Sequence, residues 1–111
     1  MTSRLDTEGG AFALTIKSNP APIPLNEPFE LTITVKAARK IDDPNPLWLG
    51  VSATMPAHAH GMNTRTEVEP LGEGRFLVRG LLFHMAGDWD VLLQVAKGRV
   101  HEQAHMRVRI E

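Results

Sequence analysis

Phe29-Glu30-Leu31-Thr32-Ile33-Thr34-Val35-Lys36 is the stretch whose reading decides the fold. Phe29, Leu31, Ile33 and Val35 alternate without a break with Glu30, Thr32, Thr34 and Lys36. A period of two places one set on the core face of a strand and the other in water. Three of the eight residues are β-branched or aromatic on the apolar face alone, as a pleated, half-buried surface favours.

The same period recurs on both sides. Upstream, Phe12, Leu14 and Ile16 alternate with Ala13, Thr15 and Lys17, predicting a strand over 12–17. Between these strands Pro20, Pro22 and Pro24 deny donors to any ladder, so 19–24 reads as an extended loop. Downstream, Asp42-Asp43-Pro44-Asn45-Pro46 breaks the chain. Leu49, Val51, Ala53 and Met55 then share one face of a strand that Pro56 ends. A short polar edge strand is expected over 64–68, and another strand over 75–83. In the latter the apolar phase slips across Gly80 from Phe76 and Val78 to Leu81 and Phe83, which signals a bulge. Trp89, Val91, Leu93 and Val95 form the inward face of a sixth strand, with a tight turn at Lys97-Gly98. Val100, Ala104, Met106, Val108 and Ile110 form that of a seventh, on which Glu102 also falls inward.

Seven short strands separated by turn residues predict an all-β fold, a seven-stranded antiparallel Ig-like β-sandwich. Residues 1–10 read as a disordered N-terminal segment and 11–111 as a single domain. The two tryptophans, Trp48 and Trp89, read as core or core-edge aromatics.

Composition removes several function classes. Twelve Lys and Arg against 13 Asp and Glu leave a net charge of -1, without the basic face that nucleic acid or an anionic membrane requires. There is no cysteine, so disulfides, iron–sulfur ligation, a thiol nucleophile and a blue-copper centre are excluded. No apolar run approaches a membrane span. The start Met1-Thr2-Ser3-Arg4-Leu5-Asp6 carries no signal-peptide core. The expectation is either a cytoplasmic protein or one whose export segment has been removed.

Chemistry concentrates in Met55-Pro56-Ala57-His58-Ala59-His60-Gly61-Met62. On an extended backbone His58, His60 and Met62 would project to one side, past the small Ala57, Ala59 and Gly61. Imidazole and thioether together suit copper, the thioether selecting Cu(I). Strand parity adds His84 and Met85. The loops after the first, third and fifth strands share one end of the sandwich, which gathers His58, His60, Met62, His84 and Met85 under the proline-rich loop. His101 belongs to the opposite end and His105 to an outer face. The candidate metal ligands are therefore His58, His60, Met62, His84 and Met85, with Met55 in reserve though better explained by core packing.

The His-x-His pair also opens the cupin metal motif, but that motif wants a glutamate three or four residues on. Here six residues separate His60 from Glu67, and the second cupin motif has no counterpart. Glu67 is the only loop-adjacent carboxylate that could serve a metal-dependent enzyme as base. Ser3, Ser18 and Ser52 lack a histidine–carboxylate setting, and no phosphate-cradling glycine loop is present.

From about Asn26 to Ile110 the chain resembles the YtkA-like family of small extracytoplasmic β-sandwich domains, which overlaps with FixH-like proteins. The resemblance rests on Asn26-Glu27-Pro28-Phe29, the Met55–Met62 segment, Gly74-Arg75-Phe76 and Phe83-His84-Met85-Ala86-Gly87-Asp88-Trp89. Ala86 stands where the family often has proline. The resemblance implies export to the periplasm or another extracytoplasmic space, an Ig-like fold, and association with copper handling or oxidase assembly. The expectation is a non-enzymatic copper-binding domain, Cu(I) favoured, that sequesters the ion or hands it to an envelope or membrane protein. No nucleic acid partner and no small-molecule substrate is expected. The alternative is a metal-free interaction module of the cell envelope whose His-rich loop is a structural cap and whose short polar strand offers an edge for strand addition.

Overall fold

The alternation at 29–36 becomes β3 (Phe29–Ala37), the middle strand of a five-stranded antiparallel sheet. The structure, a computed structural model, describes residues 2–111. The other members of this sheet are β1 (Thr2–Asp6), β2 (Phe12–Asn19), β6 (Glu67–Gly72) and β7 (Arg75–Leu81), in the order β1-β2-β3-β7-β6. The second sheet contains β4 (Leu47–Met55), β5 (His60–Gly61), β8 (Gly87–Lys97) and β9 (Val100–Ile110), in the order β5-β4-β8-β9. The inward residues of both sheets form one buried cluster, so the fold is an all-β sandwich.

Among the described residues nine strands replace the seven expected. The additions are β1 and β5. Thr2–Asp6 lies in the segment expected to be disordered, yet it pairs with β2 from Thr2 opposite Lys17 to Asp6 opposite Ala13. Met1 lies outside the described residues. β1 carries no alternation to read because Leu5 is its one large apolar residue, so its backbone bonds rather than a hydrophobic face hold it in place. The edge strand expected over 64–68 instead runs from Glu67 to Gly72.

The bulge at Gly80 is present. Phe29 faces Leu81 while Leu31 faces Val78, which leaves an extra residue on β7. Gly80 takes φ +82°, and a side chain there would run into the Arg65 carbonyl. The slip turns Phe76, Val78 and Leu81 all inward.

Aromatic packing dominates the core around β8. Trp89 and Phe83 are fully buried and stack with centroids 4.5 Å apart, and Phe29 meets Phe83 edge-on at 4.9 Å. Such pairs add about 0.5–1.5 kcal/mol each beyond the area they bury. Trp48 departs from expectation. It is 55% exposed, because it sits on the outward phase of β4 between the inward Leu47 and Leu49 positions.

Glu102 finds its partners in the N-terminal turn. Its carboxylate accepts from the Thr7 hydroxyl and from the Ala11 N–H at 2.9 Å, while Glu8 N–H donates to Gln103 O at 2.8 Å. These bonds hold the Glu102 carboxyl below the usual carboxylate range, the Thr7 hydroxyl being the larger cause and the Ala11 N–H the next. The turn thus straps the edge of β9 and covers an otherwise open stretch of ladder.

Candidate metal centre

Pro56 decides the local structure after β4. Instead of the extended ribbon expected, Pro56–His58 form one turn of 3-10 helix, which ends at Ala59 in the left-handed region with φ +53°. A non-glycine residue there costs roughly 1–2 kcal/mol. The reversal lets His60 and Gly61 fold back as β5 against Met55 and Thr54. His58 and His60 therefore come together through a tight reversal, not through side-chain alternation.

Their ring centroids stand 5.8 Å apart. His84, in the loop between β7 and β8, approaches from the other side with its centroid 5.6 Å from that of His60. His84 in turn meets Trp89 edge-on at 5.6 Å. A continuous run of rings therefore climbs from Phe29 through Phe83, Trp89, His84 and His60 to His58. The first three rings are buried, His84 is half-buried, and His60 and His58 are exposed.

The surrounding loops are tied down. Asn26 N–H donates to Phe83 O at 2.7 Å, which brings the proline-rich loop onto the β7–β8 loop as parity required. Trp89 Nε1–H donates to Met85 O at 3.0 Å. Thr66 Oγ1–H donates to Val51 O at 2.7 Å and Thr64 Oγ1–H to Gly80 O at 2.6 Å, pinning the segment that follows Met62.

The polar atoms of His60 and His84 are in different states. His60 Nδ1 lies 3.3 Å from Gly61 O. His84 Nδ1 is buried and has no hydrogen-bond partner. An unpartnered buried nitrogen carries a penalty of about 1–3 kcal/mol, so its retention calls for an explanation. Two imidazoles sharing an ion at about 2 Å per nitrogen have centroids roughly 5–6 Å apart, the spacing found here. Among the described residues no three His, Asp or Glu side chains stand ready to hold an ion.

The methionines divide. Met62 packs half-buried against the core, Met85 is exposed, and Met55 is buried at 1% exposure in the core. Glu67, the nominated base, lies exposed on β6 opposite Arg79 of the adjacent strand β7. His101 bonds Gly98 O at the opposite end, and His105 bonds Asp90 on the outer face at 2.8 Å. The unsatisfied nitrogen of His84 could not be read from the sequence, since it depends on the Trp89 packing that buries the ring.

No family model, curated protein or solved structure matches this chain. No helix among the described residues is long and apolar enough to cross a membrane.

Proposed function

We propose that this is an extracytoplasmic, non-enzymatic metal-binding domain for copper, chiefly Cu(I), that sequesters the ion or passes it to an envelope or membrane protein. The strand order β2-β3-β7-β6 against β4-β8-β9 supports the Ig-like reading, with β1 and β5 as added edges. This arrangement also agrees with the resemblance to YtkA-like and FixH-like domains. One observation carries the metal reading: the partnerless buried Nδ1 of His84 at the root of a run of three imidazoles. His58, His60 and His84 would hold the ion, with Met62 and Met85 as thioether donors. Rotation of the exposed His58 and His60 rings on their side-chain torsions brings ligands to an anchored His84. Such a half-built site suits exchange, because the ion is released by turning two surface side chains.

Imidazole-selective NMR tests the reading. Adding Cu(I) should shift the ring signals of His58, His60 and His84 and leave those of His101 and His105 in place.

The interaction-module reading draws on a different observation. Leu25 and Met85 are exposed at 42% and 38%, on the two loops joined by the Asn26–Phe83 bond. Under that reading Cu(I) shifts no histidine selectively, and the apolar pair alone recruits the partner.

A further inference from the structure

The outer face of the β5-β4-β8-β9 sheet is indented at the far end of β4 from the histidines. Trp48 faces outward and is folded along the sheet so that its outer ring covers Gly50. A methyl group on Gly50 would come within 2.5 Å of Trp48 Cη2, so the absence of a side chain is what lets the indole lie over the strand. Cross-strand register continues the surface. Trp48 faces Ala96, which faces His101; Gly50 faces Gln94, which faces Gln103. Small residues thus flank the ring, and two planar amides stand in the neighbouring row.

Trp48, Gln94, Ala96, His101 and Gln103 line a depression of about 450 Å³, within the range of small-molecule sites. Its rim is built by the N-terminal strap, where Glu8 N–H bonds Gln103 O and Gly9 closes over Glu102. The two carboxylates at the rim differ. Glu102 accepts from Thr7 and Ala11 through its Oε1, whereas the Glu8 carboxylate is exposed, with His105 Nε2 at 3.8 Å lying beyond hydrogen-bond distance. What a ligand meets is one exposed aromatic surface, the amides of Gln94 and Gln103, and the exposed Glu8 carboxylate.

We propose that this depression binds a β-linked gluco-configured saccharide. In such a sugar the ring substituents are equatorial, so the axial C–H bonds present a flat apolar face that matches an indole. The hydroxyls at the ring edge are both donors and acceptors, as are the amides of Gln94 and Gln103. An apolar ligand would leave the amides and the Glu8 carboxylate unpaired, whereas the hydroxyls of a sugar edge can donate to all three. A single stacking ring and few hydrogen bonds give weak binding, in the millimolar range.

Saturation-transfer NMR on the intact chain with cellotriose and chitotriose tests the site. Transfer should be largest to the axial ring protons H1, H3 and H5 of at least one trisaccharide. It should vanish in Trp48→Ala, whose exposed side chain leaves the core untouched, and weaken several-fold in Gln94→Ala. Gly50→Val, which lifts the indole off the strand, should also abolish it. Absence of transfer to both sugars at millimolar concentration, or transfer retained in Trp48→Ala and Gly50→Val alike, would overturn the proposal. Loading the protein with Cu(I) should not alter the transfer, so the two sites stand or fall separately.

Discussion

His60, on the two-residue strand β5, and His84, in the loop before β8, bring their rings to 5.6 Å although they come from different loops. Only His84 of the pair is braced, by the edge of Trp89, and only its Nδ1 is buried without a partner. Keeping such a group costs stability, a cost that the proposed ligand role would account for.

That cost can be measured. His84→Phe keeps an aromatic ring against Trp89 and removes the unsatisfied nitrogen. The expected result is a protein as stable as the parent, or more stable by about 1 kcal/mol, whose Cu(I) affinity has dropped. Chemical denaturation with and without the metal checks both parts. A fall in stability without metal would instead make the imidazole a structural cap.

Glu102 sets an acid limit on stability. Its carboxyl is held below the ordinary glutamate value by the Thr7 hydroxyl and the Ala11 N–H. A carboxyl lowered by folding stabilises above its unfolded value of about 4.3, and that contribution disappears as pH falls through the folded value. Glu102→Ala should therefore melt earlier than the parent at pH 7, and the gap should close on acidification below about pH 4. Melting curves across that range give the comparison.

The bulge is equally exposed to test. Gly80→Ala forces a side chain into the left-handed region at φ +82° and against the Arg65 carbonyl. A destabilisation of about 1–3 kcal/mol is expected. Because Gly80 O also accepts from Thr64, the segment leading from Met62 should loosen with it, read as faster amide exchange at Thr64 and Thr66.

The major strands were legible because each long one sets an apolar residue at every second position, and Gly80 announced its bulge through a broken phase. β1 was not, since it joins the sheet on backbone bonds with only Leu5 to mark a face. β5 was not, since two residues carry no period and its existence depends on Ala59 reversing the chain. Trp48 misled because residue type suggested the core while its place in the alternation pointed outward. At the candidate site, strand parity gathered His58, His60 and His84 at one end. The route was different: Pro56 opens a helical turn where an extended ribbon was expected. Which imidazole nitrogen lacks a partner is a property of packing and leaves no trace in the order of residues.

Competition for Cu(I) against a coloured chelator tests the central claim most directly. The parent chain should withdraw the metal stoichiometrically. His58→Ala/His60→Ala should do so at least about tenfold less well, as loss of ligands requires, while His101→Ala/His105→Ala should match the parent. Equal affinity of the His58→Ala/His60→Ala protein and the parent would contradict the account.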